Sequence, residues 1–580
     1  MNTLREILAN VQKPGRYIGE ETNIVRKKFS KNRVSVALAY PDAYEVGMSY
    51  LGLKILYHLL NERDDVVCER VFAPWPDMEE QLASRGRRLF SLESKTDIDR
   101  FDILGFSLSY ELTYTNVLNM LHLSGITLRS GERGNDEPIV IAGGACCFNP
   151  EPMSEFIDVF FIGDAEETLP MFIEKYQKTR RPSMERHELL KKLSDLPGIY
   201  VPSLYTAEYH GGDFARLFPR EPGTPSKVEK SIIPDLNEAY YPVKQIVPLV
   251  KTIHDRFAVE IMRGCPNKCR FCQATAINHP VRFRRPETVK KICLETYKNT
   301  GYEKTALLSL SSVNYPWLIE LVRGLSADLK EKGVEISIPS LRVDEAFYEL
   351  PEMVSAIKKT GLTFAPETPS DDILCSIGKD IDLKVLYRAA EIAYRHGWKR
   401  LKLYFMAGFP IMMEEVENII SMARDLSNTK KAVARGAAEI KVSVNPFVPK
   451  PHTPFQWLGM QDSGLLNMKK NYLLSRSSGK IQVEFHDINK SLLEGCLSRG
   501  DRRMAGVIYS AWEKGAKMDS WTEFFNFSIW EEAFREKGLE IDKLATRTYA
   551  LEENLPWAHV RTGLNNDWLK TELLASGFYK

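Results

Sequence analysis

The sequence RGCPNKCRFC, residues 263–272, contains three cysteines, with three residues between the first pair and two between the second. A short loop of this shape can turn three thiolates toward one point, as an iron–sulfur cluster requires. A cube with four irons needs four ligands, so three thiolates leave one iron open for chemistry. Residues 257–262, before the loop, read as a buried strand. The loop is therefore predicted to leave the end of a strand.

This spacing, with Phe271 directly before the last cysteine, resembles the cluster motif of radical S-adenosylmethionine (SAM) enzymes. The resemblance implies that Cys265, Cys269 and Cys272 ligate a [4Fe-4S] cluster and that SAM binds the open iron through its amino and carboxylate groups. It also implies that one electron from the cluster cleaves SAM to a 5′-deoxyadenosyl radical, which abstracts hydrogen from a substrate. The alternative is a structural zinc site with a histidine such as His279 as fourth ligand.

The composition limits the class of protein. The chain has 580 residues, enough for two or three domains, and 44% of them are hydrophobic, as is ordinary for a globular protein. The net charge of +1 gives no sign of a nucleic-acid partner. No apolar run is long enough to span a membrane, and the first residues lack the core of a signal peptide. Nine cysteines, an odd number, suit a reducing compartment, so we expect a cytoplasmic protein.

Residues 1–180 alternate apolar strand patterns with amphipathic helix patterns. Strands are predicted at residues 34–40, 66–72, 101–108, 138–142 and 156–163. Helices are predicted at residues 51–60, 114–123 and 164–176. The alternation predicts an α/β domain with a Rossmann-like, doubly wound parallel sheet.

The carboxyl ends of these strands form the expected ligand edge of the sheet. Tyr44 follows the first strand, Ser107 ends the third, and Gly143 and Gly144 follow the fourth. Because glycine and small hydroxyl residues let a bulky ligand approach the backbone, Ser107, Gly143 and Gly144 are predicted to bind a cofactor, together with Tyr44 of the loop after the first strand. In the alternative, the two glycines only form a tight turn. The segment has neither a Walker-type loop nor a G-x-G-x-x-G motif.

Three N-terminal segments extend the resemblance. They read YPDAYEVGMS at residues 40–49, FSLSYEL at 106–112 and NPEP at 149–152. Together with a Rossmann-like domain before the cysteine motif, they are similar to a widespread, functionally uncharacterised family among the cobalamin (B12)-binding radical SAM enzymes. This resemblance implies cobalamin as a further cofactor and methyl transfer to an unactivated carbon or phosphorus. The Asp-x-His-x-x-Gly motif of many cobalamin domains is absent. The lower face of cobalamin would then meet another group, such as the loop at 44–49, or the domain lacks cobalamin.

Residues 181–250 break the alternation, and the proline-rich stretch near their end predicts a linker or strap. From residue 251 to 460 strands and helices alternate again. Six strands are predicted at residues 257–262, 306–310, 334–339, 362–365, 401–406 and 438–444. This pattern predicts a (β/α)6 partial TIM barrel, which is the core that the resemblance implies, with function at the carboxyl ends of the strands.

Two of these strand ends carry candidate contacts to the amino-acid part of SAM. Ser309, Ser311 and Ser312 follow the second strand and can hydrogen-bond the amino or carboxylate group. Arg342 follows the third strand, where its guanidinium can pair with the SAM carboxylate. In the alternative, Arg342 pairs with Asp344 of the same loop.

The next two strand ends carry candidate contacts to the nucleoside part of SAM. Glu367 follows the fourth strand and can accept hydrogen bonds from the ribose hydroxyls, or it faces water. Gly408, after the fifth strand, begins Gly408-Phe409-Pro410, which resembles the glycine-and-proline turn that lies near the adenine in the superfamily. No residue is assigned a catalytic role beyond cofactor binding.

Residues 461–580 are predicted to form a mostly helical module that recognises substrate, docks a partner or covers the open side of the partial barrel. The leading interpretation is a radical SAM enzyme, cobalamin-dependent through the family resemblance, with an electron donor such as flavodoxin or ferredoxin and an unidentified substrate. An RNA-modifying enzyme of the methylthiotransferase type, without cobalamin, is a second interpretation, although the N-terminal domain lacks a second cysteine triad. A zinc-stabilised scaffold without enzymatic activity is the third.

Overall fold

The computed structural model describes residues 2–181, 183–338 and 362–579. Six strands form the N-terminal sheet, in the order β2-β1-β3-β4-β5-β6. They are β1 (Val34–Tyr40), β2 (Val66–Phe72), β3 (Ile103–Ser107), β4 (Ile139–Gly143), β5 (Val159–Phe161) and β6 (Ile199–Tyr200). β1 to β5 are parallel, and β6 is antiparallel to β5. All residues of β1 and β2 are buried, as in strands that are covered on both faces.

Two side-chain hydrogen bonds connect helical segments of this domain. Gln177 of helix Thr168–Thr179 donates to the carbonyl of Asp65, which follows helix Leu51–Glu62. Helix Pro76–Ser84 meets helix Tyr114–Ser124 through a hydrogen bond from Asn119 to Glu79. The remaining helices are Asn2–Ala9, Tyr44–Gly47 and Arg186–Leu193. The predicted doubly wound sheet is confirmed, and its strand order reverses direction between β1 and β3, where such sheets bind ligands.

The strap after the sheet contains short strands. They are β7 (Tyr205–His210), β8 (Asp213–Pro219) and β9 (Val228–Glu229). β7 and β8 form an antiparallel hairpin, and β9 pairs with the late strand Val560–Arg561. The strap therefore joins the N-terminal and C-terminal parts of the chain.

The second domain has two parallel sheets with helices around them. The first sheet contains β10 (Phe257–Glu260), and a short antiparallel ribbon follows with β11 (Met262–Arg263) and β12 (Arg282–Phe283). The other strands of the first sheet are β13 (Lys304–Leu308) and β14 (Glu335–Ser337). The second sheet contains β15 (Leu362–Glu367), β16 (Arg400–Ala407), β17 (Glu439–Pro446) and β18 (Ile481–Phe485). The surrounding helices are Gln273–Ile277, Pro286–Thr300, Leu318–Lys330, Asp371–Ser376, Leu383–Arg395, Glu414–Val433 and Ser463–Ser475.

Residues alternate between two environments along the strands of the second sheet. On β16, Leu401, Leu403 and Phe405 are buried against the helices, and the residues between them are half-buried on the inner side. Such alternation is expected of barrel strands. The predicted partial barrel is confirmed. The described residues contain seven parallel barrel strands, one more than predicted, because β18 lies in a segment for which no strand was expected.

The C-terminal helices pack against two different parts of the chain. They are Ile488–Arg499, Arg503–Glu513, Phe527–Glu536, Ile541–Thr546 and Asn566–Ala575. The first four share a hydrophobic core with the N-terminal sheet, whereas the last packs against the turn Pro454–Trp457 that follows the barrel. Most of the expected C-terminal module therefore lies on the N-terminal domain and not across the barrel. Within the described ranges, no helix combines the length and apolar character needed to cross a membrane.

Three buried acidic residues hold the C-terminal half of the chain on the N-terminal domain, and we call them the docking acids. One belongs to each of the three N-terminal segments that carry the family resemblance. The pairs are Asp42 with Trp521 Nε1 (2.7 Å), Glu111 with Lys450 Nζ (2.9 Å) and Glu151 with Arg502 Nε (2.6 Å). These segments therefore fix the packing of distant parts of the chain.

Candidate functional site at the cysteine loop

The cysteine loop leaves β11 through a tight turn at Gly264. This glycine has a φ of +88°, and a Cβ there would lie 2.7 Å from the carbonyl oxygen of Asn278. A side chain at this position is therefore excluded both by conformation and by space. The turn folds the loop back against the chain that follows helix Gln273–Ile277, which begins directly after Cys272.

Arg263 anchors the start of the loop to the N-terminal domain. Its guanidinium pairs with Asp164 (2.9 Å) and Glu166 (2.7 Å), which follow β5, and with Glu260 (2.9 Å) on β10. Burial lowers the pKa of Arg263, but its acidic partners outweigh this and raise the pKa above its usual value. The charged form is therefore fixed, and the loop has a defined position relative to the sheet.

Arg270 anchors the other side of the loop. Its Nε pairs with Glu572 of the last helix at 2.9 Å, and its Nη1 donates to the carbonyls of Cys375 (2.9 Å) and Ser376 (2.8 Å). The backbone N–H of Arg270 donates to the carbonyl of Ile377. Segments that are distant in the sequence therefore hold the loop from both ends.

The three predicted metal ligands open into one cavity of about 380 Å³. Other lining residues are Asn267, Phe271, Ser311, Phe364, Glu367, Lys379 and Tyr404. The volume falls in the range of about 300–1,000 Å³ that small-molecule sites occupy. Aromatic and aliphatic walls with few charged groups are also typical of such sites. The structure therefore brings Cys265, Cys269 and Cys272 together with two of the predicted SAM contacts, Ser311 and Glu367.

The arrangement of the thiols bears on the metal that they can hold. Across the described ranges, no set of three or more histidine, cysteine or acidic side chains converges closely enough to bind one metal ion. His279, the suggested zinc ligand, is exposed. The three thiols line one cavity, and both the [4Fe-4S] cluster and the zinc alternative stay predictions.

Glu367 has the most unusual backbone in this cavity. Its φ is +68°, a left-handed conformation that is uncommon for a residue with a side chain, and the pairing of β15 with β16 is irregular between Phe364 and Glu367. Such bulges redirect side chains beside active sites. The carboxylate pairs with Lys379 at 2.6 Å and is 15% exposed. Glu367 therefore faces a lysine inside the cavity and not open water.

The three serines after β13 have different surroundings. Ser309 and Ser312 share a hydrogen bond of 2.8 Å between their hydroxyls, and Ser312 is buried. Ser311 lines the cavity and donates to Asn314 Oδ1 at 2.7 Å. Of the three serines, Ser311 is thus the one placed to meet a ligand in the cavity.

The remaining predicted SAM contacts on the barrel are Gly408 and Arg342. Gly408 directly follows β16 with a φ of +103°, and its N–H donates to the buried carboxylate of Glu415 at 2.9 Å. It supports the turn that was compared with the adenine site, and its contact with SAM stays a prediction. Arg342 and its alternative partner Asp344 lie outside the described residues.

The predicted cofactor edge of the N-terminal sheet is partly filled by the protein itself. The Tyr44 hydroxyl donates to buried Glu21 at 2.9 Å, so it faces the core. Gly144 has a φ of +116°, and a Cβ there would lie 2.5 Å from the carbonyl oxygen of Leu108. Its lack of a side chain therefore serves the packing of two loops. Ser107 and Gly143 are half-buried at the edge, and their role as cofactor contacts stays a prediction.

The same edge lies directly beside the cysteine loop. The turn Ala145–Phe148 after β4 contacts helix Gln273–Ile277, which follows the third cysteine. The Ser109 hydroxyl is buried at this edge, next to Tyr40 and Tyr50.

Two family models match the chain and identify its class. The family model of the N-terminal region of radical SAM proteins matches residues 52–202, and that of the radical SAM superfamily matches residues 259–423. The chain belongs to the radical SAM superfamily.

Known proteins resemble the chain in sequence or in fold. Uncharacterized protein MJ0966 of Methanocaldococcus jannaschii is 28% identical over 478 residues, covering 82% of this chain and 90% of that protein. TsrM, a radical SAM methyltransferase from Kitasatospora setae solved with cobalamin and a [4Fe-4S] cluster bound, superposes with a TM-score of 0.51 at 12% identity. That alignment covers 87% of this chain and 99% of TsrM. At this identity the likeness concerns the fold alone.

Proposed function

We propose that this protein is a radical SAM enzyme whose cysteines Cys265, Cys269 and Cys272 hold a [4Fe-4S] cluster, with SAM in the adjoining cavity. The observation that carries the proposal is that the three thiols, Ser311 and Glu367 line the same cavity. When bound, the cluster supplies one electron to SAM, whose cleavage gives methionine and a 5′-deoxyadenosyl radical. The electron comes from a low-potential donor protein of the flavodoxin or ferredoxin class.

The residues of the cavity have distinct tasks in this proposal. Glu367 presents an acceptor for the hydroxyls of a bound nucleoside, and Lys379 holds its carboxylate in place. Ser311 offers a hydroxyl on the side of the cavity that Cys265 lines. Phe271 and Phe364 supply apolar wall and keep water from the reacting groups.

We further propose that the edge of the N-terminal sheet takes cobalamin, which would deliver a methyl group to an unactivated carbon or phosphorus of the substrate. Two observations support this. The strand order has its switch point between β1 and β3, and the edge lies against the cysteine loop. The fold likeness to TsrM, which was solved with cobalamin, agrees with it. The Tyr44 hydroxyl is occupied by Glu21, so we assign no protein ligand to the cobalt.

One experiment tests both parts. The full-length protein is purified without oxygen, supplied with hydroxocobalamin, freed of unbound cofactor, and studied by visible spectroscopy and metal analysis. We expect about four irons per chain with broad iron–sulfur absorption, and corrinoid bands that stay with the protein. An iron–sulfur spectrum without corrinoid would contradict the cobalamin proposal alone. A colourless protein with stoichiometric zinc would contradict the enzyme proposal.

A further inference from the structure

The side-chain amide of Asn267 lies inside the cysteine loop, between two of the metal ligands in the sequence. Its Nδ2 is 3.2 Å from the sulfur of Cys265 and 3.2 Å from Asn314 Oδ1, with Ser311 Oγ at 3.5 Å. An amide nitrogen carries two hydrogens, so it can donate to the sulfur and to the turn after β13 at the same time. Asn267 thus links a metal ligand to the wall of the cavity.

The surrounding groups determine which end of the amide faces the sulfur. Asn314 Oδ1 already accepts a hydrogen bond from Ser311 at 2.7 Å, so that oxygen is an acceptor for Asn267 as well. A metal-bound thiolate carries no hydrogen and can only accept. Both neighbours therefore require the nitrogen of Asn267, and not its oxygen, on their side.

We infer that Asn267 is a positioning residue whose N–H donates to the Cys265 sulfur and makes the cluster easier to reduce. The inference rests on the proposed function, since it requires a cluster on Cys265. Hydrogen bonds to cluster sulfurs are among the factors that determine the reduction potential of iron–sulfur centres. Reduction adds one electron, taken from the donor protein or from dithionite, and so increases the negative charge on the sulfurs. A donor N–H stabilises that reduced form more than the oxidised form.

The size of the effect follows from the size of one hydrogen bond. The loss of one such bond corresponds to about a fivefold change in an equilibrium ratio. Asn267→Leu keeps the approximate volume and removes the donor. Asn267→Asp keeps the shape, removes the donor and adds a negative charge, so its effect has the same direction and is larger. Asn299→Leu is the matched control, because Asn299 lies on an outer helix where its amide donates to the carbonyl of Glu295.

The test is an anaerobic dithionite titration of the cluster-loaded, full-length proteins, followed by electron paramagnetic resonance. At the potential where half of the wild-type cluster is reduced, we expect the reduced-to-oxidised ratio to fall about fivefold in Asn267→Leu and further in Asn267→Asp. The ratio should stay near one in Asn299→Leu. A loop that only needs Asn267 for folding would lose iron without a change of this ratio in the clusters that remain.

The outcomes distinguish a failure of the Asn267 inference from a failure of the proposed function. Full iron content with an unchanged ratio in both Asn267 variants would overturn the inference and leave the proposed function standing. If the leucine variant does not retain iron, Asn267→Asp provides the comparison. Wild-type protein that binds no iron would overturn the proposed function, and the metal analysis shows this before any titration begins.

Discussion

The carboxylate of Glu367 lies 2.6 Å from the ammonium of Lys379, inside the cavity that the three cysteine thiols line. The left-handed backbone of Glu367 costs on the order of 1–3 kcal/mol, and such strain persists where the surrounding structure enforces it, often at functional sites. The ion pair provides part of that enforcement. Glu367 is therefore a carboxylate fixed inside the cavity and not a surface charge.

We expect Glu367→Gln to weaken SAM binding about tenfold, because hydrogen bonds to a charged acceptor contribute about 1.5–3 kcal/mol and the amide retains only part of this. The measurement is equilibrium binding of SAM to the anaerobic, cluster-loaded protein. Glu439→Gln is the control, because Glu439 is an exposed residue at the start of β17 that pairs with Arg400. Equal affinities in the two variants would show that Glu367 does not contact SAM.

The main architecture could be predicted from the sequence because local patterns of apolar and turn residues determine it. β1 and β2 have the predicted bounds, since long apolar runs closed by turn residues allow little else. The three cysteines could be assigned as metal ligands because their spacing lies within one loop, and that assignment stays a prediction. β18 was missed because residues 481–485 lie within a stretch that is otherwise helical on both sides.

The rest of the site depends on contacts between distant segments. No local sequence pattern indicated that Lys379 belongs to the site, because only the turn after helix Asp371–Ser376 brings it to Glu367. The docking acids lie in segments expected at a cofactor edge, yet their partners are more than 300 positions away in the chain. A single sequence has no local pattern that reports such pairings.

The contact between Glu151 and Arg502 should be important for stability. Glu151 is fully buried and accepts from Arg502 Nε at 2.6 Å and from the Tyr200 hydroxyl at 2.5 Å. Arg502→Met removes the arginine that balances the charge of this buried carboxylate, which costs roughly 3–5 kcal/mol of unfolding free energy. Urea denaturation measures the loss. In Arg216→Met, which removes an exposed pair with Glu208, we expect less than about 1 kcal/mol. Similar losses in both variants would contradict the assigned docking role.

Asp519 should give the protein a measurable pH dependence. Burial raises the pKa of Asp519 from 3.8 to about 6, although the Thr115 hydroxyl donates to its carboxylate at 2.9 Å. Between these pH values the folded state binds a proton that the unfolded state has released. The stability that this proton contributes is therefore complete below about pH 4 and is lost as the pH rises through about 6.

Asp519→Asn removes this titration and keeps an oxygen for Thr115. We expect the variant to gain stability relative to the wild type as the pH rises from 4.5 to 7, on the order of 1–3 kcal/mol. Urea midpoints at the two pH values measure the difference between the proteins. A difference that does not change with pH would mean that Asp519 titrates normally.

The proposed function requires that three thiolates hold a cluster that drives SAM cleavage. The most direct measurement is the release of 5′-deoxyadenosine from SAM by anaerobic, chemically reduced protein, with iron determined in the same samples. The wild type and Cys375→Ala, which replaces an exposed cysteine away from the cavity lining, should contain about four irons and release the nucleoside. Cys269→Ala should lose both properties. A Cys269→Ala protein that still releases 5′-deoxyadenosine at the wild-type rate would contradict the account.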